Sequence, residues 1–128
     1  MPYERVFVPG AKRFETRFFG RVPADEIVQN YMEMIQSDDW SPDVVRLITV
    51  ERGADLSDLT YEVFENRFIK LLEDTAHIAG PPNKNAWIIE SEVTMPIVQT
   101  WELMPAAQKL DVFGVFATRD EALDWLHP

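Results

Sequence analysis

The residues of this 128-residue chain best equipped for chemistry are carboxylates, an arginine and hydroxyls that fall just after apolar runs. Glu51, Arg52 and Asp55 follow the run Val44 to Val50, and Glu90, Ser91, Glu92 and Thr94 follow Ala86 to Ile89. If those runs are parallel strands, their carboxyl ends are where ligands of open α/β sheets gather. Glu51, Arg52 and Glu90 then form a strand-end polar site, and Glu51, Asp55 or Glu90 would act as a general base if its pKa were raised. Surface carboxylates far outnumber catalytic ones, so no residue is assigned as catalytic. The second candidate is Asp55-Leu-Ser-Asp-Leu-Thr60, where Asp55, Ser57 and Thr60 precede a helical pattern. A phosphate there would meet free backbone N–H groups, although serine or aspartate at such a place is also the ordinary helix cap.

Other chemistries are excluded by composition. Without cysteine there is no disulfide framework, thiol nucleophile or thiolate metal site. The two histidines, His77 and His127, have no helically spaced ligand partner, so no metal is expected, and His77 is explained by the dipole at a helix C-terminus. Gly-x-Ser-x-Gly, P-loop and Gly-x-Gly-x-x-Gly patterns are missing, and no cofactor is expected. A formal charge of -10 argues against nucleic acid as a partner. The acidity is uneven: before Pro23, Arg5, Lys12, Arg13, Arg17 and Arg21 outnumber Glu4 and Glu15. A basic hairpin on an acidic body is read as solvated edge-strand charge that discourages sheet-to-sheet association. No apolar run follows a basic start, and none approaches the ~20 residues needed to span a bilayer, so a cytoplasmic chain without a transmembrane segment is expected.

The elements that must position these residues follow from periodicity. Val6 to Val8 and Arg13 to Phe19 read as strands joined by a Pro9-Gly10 turn, with Phe14, Thr16 and Phe18 on one face and Arg13, Glu15 and Arg17 on the other. From Pro23, Ile27, Tyr31, Met34 and Ile35 fall at helical spacing, with Asp25 and Glu26 beside the positive helix end. Val44 to Val50, an apolar run broken by Arg46 and Thr49, predicts an interior parallel strand. Between Ser57 and His77, Tyr61, Phe64, Phe68, Leu71 and Leu72 form one stripe of the longest helix, closed by Gly80-Pro81-Pro82. Ala86 to Ile89 is a further strand. Thr94-Met95-Pro96 opens a helix carrying Ile97, Trp101 and Met104 and stopped by Pro105.

The ending from Asp111 to Leu126 reads as a buried strand entering a capped helix with almost no loop. Val112, Phe113, Val115 and Phe116 form the strand, and Thr118 with Glu121 forms a capping box. The order is β-β-α-β-α-β-α-β-α: an α/β fold with an N-terminal hairpin and a mostly parallel five-stranded sheet. Length and the lack of linker or repeat make residues 1–128 one domain. If each strand is laid beside its predecessor, right-handed crossovers put successive helices on one sheet face, leaving the other for the hairpin, a terminal helix or a second molecule, whereas a strand order that reverses would place helices on both faces.

Three passages carry a resemblance to a family: Gly20-Arg-Val-Pro-Ala-Asp-Glu26, Pro96-Ile-Val-Gln-Thr-Trp-Glu-Leu103, and Val112 to Leu126 with Glu121-Ala122 and Trp125-Leu126. In them the chain resembles the small bacterial SpoIIAA-like proteins, related in fold to STAS domains such as anti-anti-sigma factors and to the lipid-binding Sec14/CRAL-TRIO type. The resemblance implies a right-handed β-α superhelix with sequential strand order after the hairpin. In phosphorylated STAS domains the acceptor serine lies in an Asp-Ser-Ser-Gly order at the helix after the third strand. Asp55 to Thr60 departs from that order.

Three functions are open. The first is a non-enzymatic SpoIIAA-like regulatory module that contacts a protein partner at Asp55, Ser57 and Thr60. The second, implied by the wider fold relationship, is a carrier or sensor of an apolar, lipid-like small molecule. Trp40, Trp87, Trp101, Met34 and Met104 are candidates to line its pocket or a subunit contact, beside their ordinary role as core. The third is a small enzyme using the strand-end carboxylates. A bare sheet face would add a homodimer.

Overall fold

A computed structural model describes residues 2–81, 83–103 and 112–128, the Glu102 side chain excepted. The described residues form a five-stranded sheet in the order β1 (Tyr3–Val8), β2 (Arg13–Phe18), β3 (Val45–Val50), β4 (Lys84–Ile89) and β5 (Val112–Phe116). β1 and β2 pair antiparallel, with Tyr3 opposite Phe18, and every later pair is parallel. α1 (Ala24–Ile35) joins β2 to β3. A continuous helical run joins β3 to β4: α2 (Tyr61–Val63), a π-helical segment (Phe64–Ile69) and α3 (Lys70–Ala79). α4 (Met95–Glu102) follows β4, and α5 (Arg119–Leu126) follows β5. This is the expected α/β fold with its N-terminal hairpin.

Strand alternation sorts the side chains onto two faces. On one, Phe18, Ile48, Val50 and Ile89 pack with Ile27 of α1, Phe64 and Phe68 of the π segment and Trp101 of α4. On the other, Leu47, Ala86 and Ile88 pack with Ala122 and Leu126 of α5. The terminal helix therefore supplies the cover that a second copy of the chain would otherwise give. A third cluster, Phe14 with Met34, Ile35 and Val44, closes the end of the sheet near the hairpin turn.

The hairpin turn forms at Pro9-Gly10 as expected, a single 3-10 turn, Pro9–Ala11, followed by Lys12 in left-handed conformation (φ 48°), whose ammonium lies 2.7 Å from Asp43. Several other local expectations are corrected. β5 is half-buried with Val112 exposed, because sequential order makes it an edge strand. Thr94 does not cap α4 with its side chain. Instead its own N–H donates to the Ser91 hydroxyl, while both hydroxyls donate to the Ala54 carbonyl, tying the loops after β3 and β4 together. Tyr61, expected in the core stripe, is 57% exposed, because the helical phase shifts where the π segment begins. Met104, Pro105, Pro82 and Asp111 lie outside the described residues.

The cap of the C-terminal helix forms as expected. The Thr118 hydroxyl accepts from the Glu121 N–H at 3.2 Å, satisfying one of the unpaired donors of the first turn. Gly114 earns its place by contact: a Cβ there would come within 2.9 Å of the Phe116 ring and 3.5 Å of Trp125.

Candidate functional site

The register that pairs Val50 with Ile89 brings the ends of β3 and β4, and with them Glu51 and Glu90, side by side. Glu51 pairs with Arg17 at 3.6 Å, Arg52 and Glu90 are exposed, and Asp55 Oδ1 accepts from the Ser57 N–H at 2.8 Å. Hydrogen bonds from Ser57, with Arg21 nearby, hold the Asp55 carboxyl below its usual range, the wrong direction for a general base near neutral pH. The strand ends are covered by their own loops. Val22 donates to the Asp55 carbonyl, Asp55 donates to Gly20, and Val22, Leu56 and Leu59 are buried beneath. Among the described residues no cluster of three His, Asp or Glu side chains could hold a metal.

Ser57 and Thr60 are exposed, and the Thr60 hydroxyl caps the helix by accepting from Val63 N at 3.2 Å. With Tyr61 they border a surface groove of about 300 Å³ whose far wall is Pro96, Ile97 and Thr100 of α4. The hairpin cations are each neutralised: Arg5 by Glu33, Lys12 by Asp43, Arg13 by Glu15, Arg17 by Glu4 and Arg21 by Asp58.

A second space, more enclosed than the groove, lies between the sheet and its three-helix face. It is a cavity of about 120 Å³. Its aromatic wall is Phe18 and Trp87 from the sheet, Phe64 and Phe68 from the π segment, Trp101 from α4 and Phe113 from β5. These rings touch one another: Phe64 stacks on Trp101 at 4.8 Å, and Trp101 meets Trp87 edge-on at 5.5 Å. Met34, Leu71 and Leu72 complete an apolar rim. Trp101 and Leu59 border both this cavity and the surface groove, so they form the partition between them. The Trp101 indole N–H is buried with no hydrogen-bond partner among the described residues.

Against this apolar wall stands a polar row. Arg46 and Asn85 are register partners on adjacent strands, Thr16 comes from β2, and Asn30 reaches in from α1. Thr16, Asn30 and Asn85 are buried. The Asn30 side-chain oxygen accepts from Arg5 at 2.7 Å, and that of Asn85 accepts from the Trp87 indole at 2.6 Å. α1 and α3 are joined across the cavity rim by the Tyr31 hydroxyl, which donates to Thr75, whose own proton goes to the Leu71 carbonyl at 2.7 Å. Arg67 and Asp25 form a second tie between the helical run and α1.

Of the side chains expected to line a pocket, Met34, Trp87 and Trp101 do so. Trp40 instead stacks on Phe14 and donates to the Ala79 carbonyl at 3.2 Å. The polar row is what sequence reasoning missed as a site, and its signal was present. Arg46 interrupts an apolar strand, and Asn30 occupies a core position three residues after Ile27 in α1. No family model, curated protein or solved structure matches this chain.

Proposed function

We propose that the chain is a non-enzymatic binding module of the SpoIIAA-like type, acting in the cytoplasm, whose helix-sheet cavity holds a small apolar molecule. The observation that carries this reading is the cavity of about 120 Å³, lined by the rings of Phe18, Phe64, Phe68, Trp87, Trp101 and Phe113 together with the polar side chains of Thr16, Asn30 and Asn85. A ligand seated there takes the apolar lining out of water, which stabilises by roughly 25 cal/mol per Å² covered. An engineered apolar cavity of about 150 Å³ holds benzene, so the fitting ligand is ring-sized and not a long acyl chain. The sequential strand order, with α1, the helical run after β3 and α4 on one face and α5 on the other, is what supports the family reading.

The test is a thermal-shift screen of ring-sized apolar molecules with native mass spectrometry of hits. A ligand at about 100 times its Kd adds about 2.7 kcal/mol, which raises the Tm of a domain this size by several degrees. Failure of every ring-sized molecule to stabilise or to be retained would defeat the reading.

A second reading, contact with a protein partner at Asp55, Ser57 and Thr60, is favoured by the groove those hydroxyls share with exposed Tyr61. A pull-down in which Tyr61→Ala and Ser57→Asp leave the captured proteins unchanged would count against it.

A further inference from the structure

Two polar side chains of the cavity lining are buried with hydrogen-bonding capacity unused. Thr16 and Asn30 are 3% and 7% exposed, and both line the cavity. The Asn30 oxygen accepts from Arg5 at 2.7 Å. Because arginine only donates, that contact fixes the amide with its N–H groups as what it can still offer. Among the described residues nothing accepts from those N–H groups, and nothing bonds the Thr16 hydroxyl. The hairpin register sets Arg5 directly opposite Thr16, so the residue whose guanidinium holds Asn30 is also the neighbour of Thr16, and the two unused groups belong to one corner of the cavity. From that corner Thr16, Ile48 and Trp87 run in register across β2, β3 and β4, a floor two strand spacings wide, roughly 9–10 Å. Asn85 and Arg46, by contrast, give bonds to the protein's own groups, Asn85 with Trp87 and Val112 and Arg46 with Asn83.

We propose that the cavity takes a one-ring phenol, whose hydroxyl accepts from the Asn30 amide N–H and donates to the Thr16 oxygen while its ring lies over Ile48 toward Trp87 and Phe64. The assignment rests on the reading of this cavity as a ligand site. Each element of the ligand answers one feature of the lining. The volume limits it to about one ring. The ring faces of Phe64 and Trp101, already stacked at 4.8 Å, favour a flat apolar body offset-stacked or edge-on to them. At the polar corner the Asn30 amide needs an acceptor, whereas the Thr16 hydroxyl takes either role, and a phenolic hydroxyl both accepts and donates. A ring amine donates but is a poor acceptor, so the Asn30 N–H would stay unanswered. A plain hydrocarbon ring would leave both groups buried without a partner, which is costly.

The test compares three molecules of nearly one shape, phenol, toluene and aniline, titrated into the intact chain by calorimetry. Methyl NMR of Ile48, Leu71 and Leu72 reports occupancy, and the side-chain amide signals of Asn30 report the polar contact. Phenol gives up more hydration than toluene, so a site without partners for its hydroxyl would favour toluene. Phenol is instead expected to bind about three- to tenfold more tightly than toluene, the net contribution of one hydrogen bond, with aniline weaker than phenol and the Asn30 amide shifted most by phenol. Thr16→Val keeps the branched shape and removes a buried hydroxyl that has no partner, so its Tm is expected to hold or rise while phenol falls to the toluene affinity or below. Thr16→Ser, which keeps the hydroxyl, is expected to keep phenol first. Because the order of the three probes is read on the unaltered protein, the test does not depend on either variant. Phenol no tighter than toluene or aniline, with the methyl shifts present, or an order that Thr16→Val leaves unchanged, would overturn the phenol assignment while leaving the cavity a ligand site. No methyl shift with any of the three would overturn the assignment together with the reading beneath it.

Discussion

On the face under α5, the sheet presents Leu47, Ala86 and Ile88 to one helix, and Ala86 and Ala122 are fully covered. On the opposite face three helical elements meet larger side chains, yet a cavity remains between them and the sheet. More helix gives less complete filling here, and the reason is in the side chains. Alanine and Gly114 let α5 and its Trp125 approach closely, and interlocking of that kind is what dense packing requires. The three-helix face instead brings the rings of Phe64, Phe68 and Trp101 to a sheet surface that carries Thr16, Arg46 and Asn85 as well as Phe18 and Trp87. The contrast separates a face built for stability from one that keeps room.

The largest effect should come from opening the filled face. Leu47→Ala is expected to lower stability by about 2–5 kcal/mol in urea denaturation, since a buried leucine leaves a hole that its neighbours fill only in part. Overfilling the same face is next: Ala122→Leu should cost about 1–3 kcal/mol through strain between α5 and β4. On the cavity face the sign changes. Leu72→Phe adds volume where space exists and is expected to leave stability equal or higher while weakening ligand binding. If Leu72→Phe is as damaging as Ala122→Leu, the two faces do not differ as described. Thr118→Ala, which removes the cap of α5, should cost about 1 kcal/mol.

The two faces are also tied down by groups that titrate in opposite directions. On the α5 side, hydrogen bonds from Arg119 and Arg13 hold the Glu15 carboxyl below its ordinary range, against a smaller opposing effect of burial. A depressed carboxylate stabilises at neutral pH, and the contribution is lost as pH falls through its folded value. On the α1 side, burial and a hydrogen bond to Glu33 push the Tyr3 hydroxyl up to about 12. A raised tyrosine keeps its contribution below about pH 10, the unfolded value, and loses it between there and about 12. Denaturation followed against pH should therefore show an acid limb flattened by Glu15→Gln and an alkaline limb flattened by Tyr3→Phe, each leaving the other limb in place.

The fold was legible because its signals are local and periodic. The Phe14-Thr16-Phe18 alternation, the Ile27-Tyr31-Met34 spacing and the Thr118-Glu121 cap each determine an element from neighbouring residues alone. The π segment was not legible, since nothing in Phe64 to Ile69 marks a change of hydrogen-bond register, and Tyr61 was placed on the wrong side in consequence. The strand-end carboxylates drew notice as types of residue, but their neighbours, Arg17 beside Glu51 and Ser57 beside Asp55, are set by tertiary contacts and tight turns. The cavity has no sequence signature of its own. Its polar row did: Arg46 and Asn30 break apolar patterns, and a polar residue in a core stripe asks for a partner.

The most direct test of a ligand-bearing helix face opposite a filled one is methyl NMR of the unaltered chain during titration with toluene. The account expects saturable shifts at Ile27, Ile48, Leu59, Leu71 and Leu72, which line the cavity, with Ile88 and Leu126 under α5 unmoved. Shifts of equal size at Leu126, or none at Ile48 and Leu72 at saturating toluene, would contradict it.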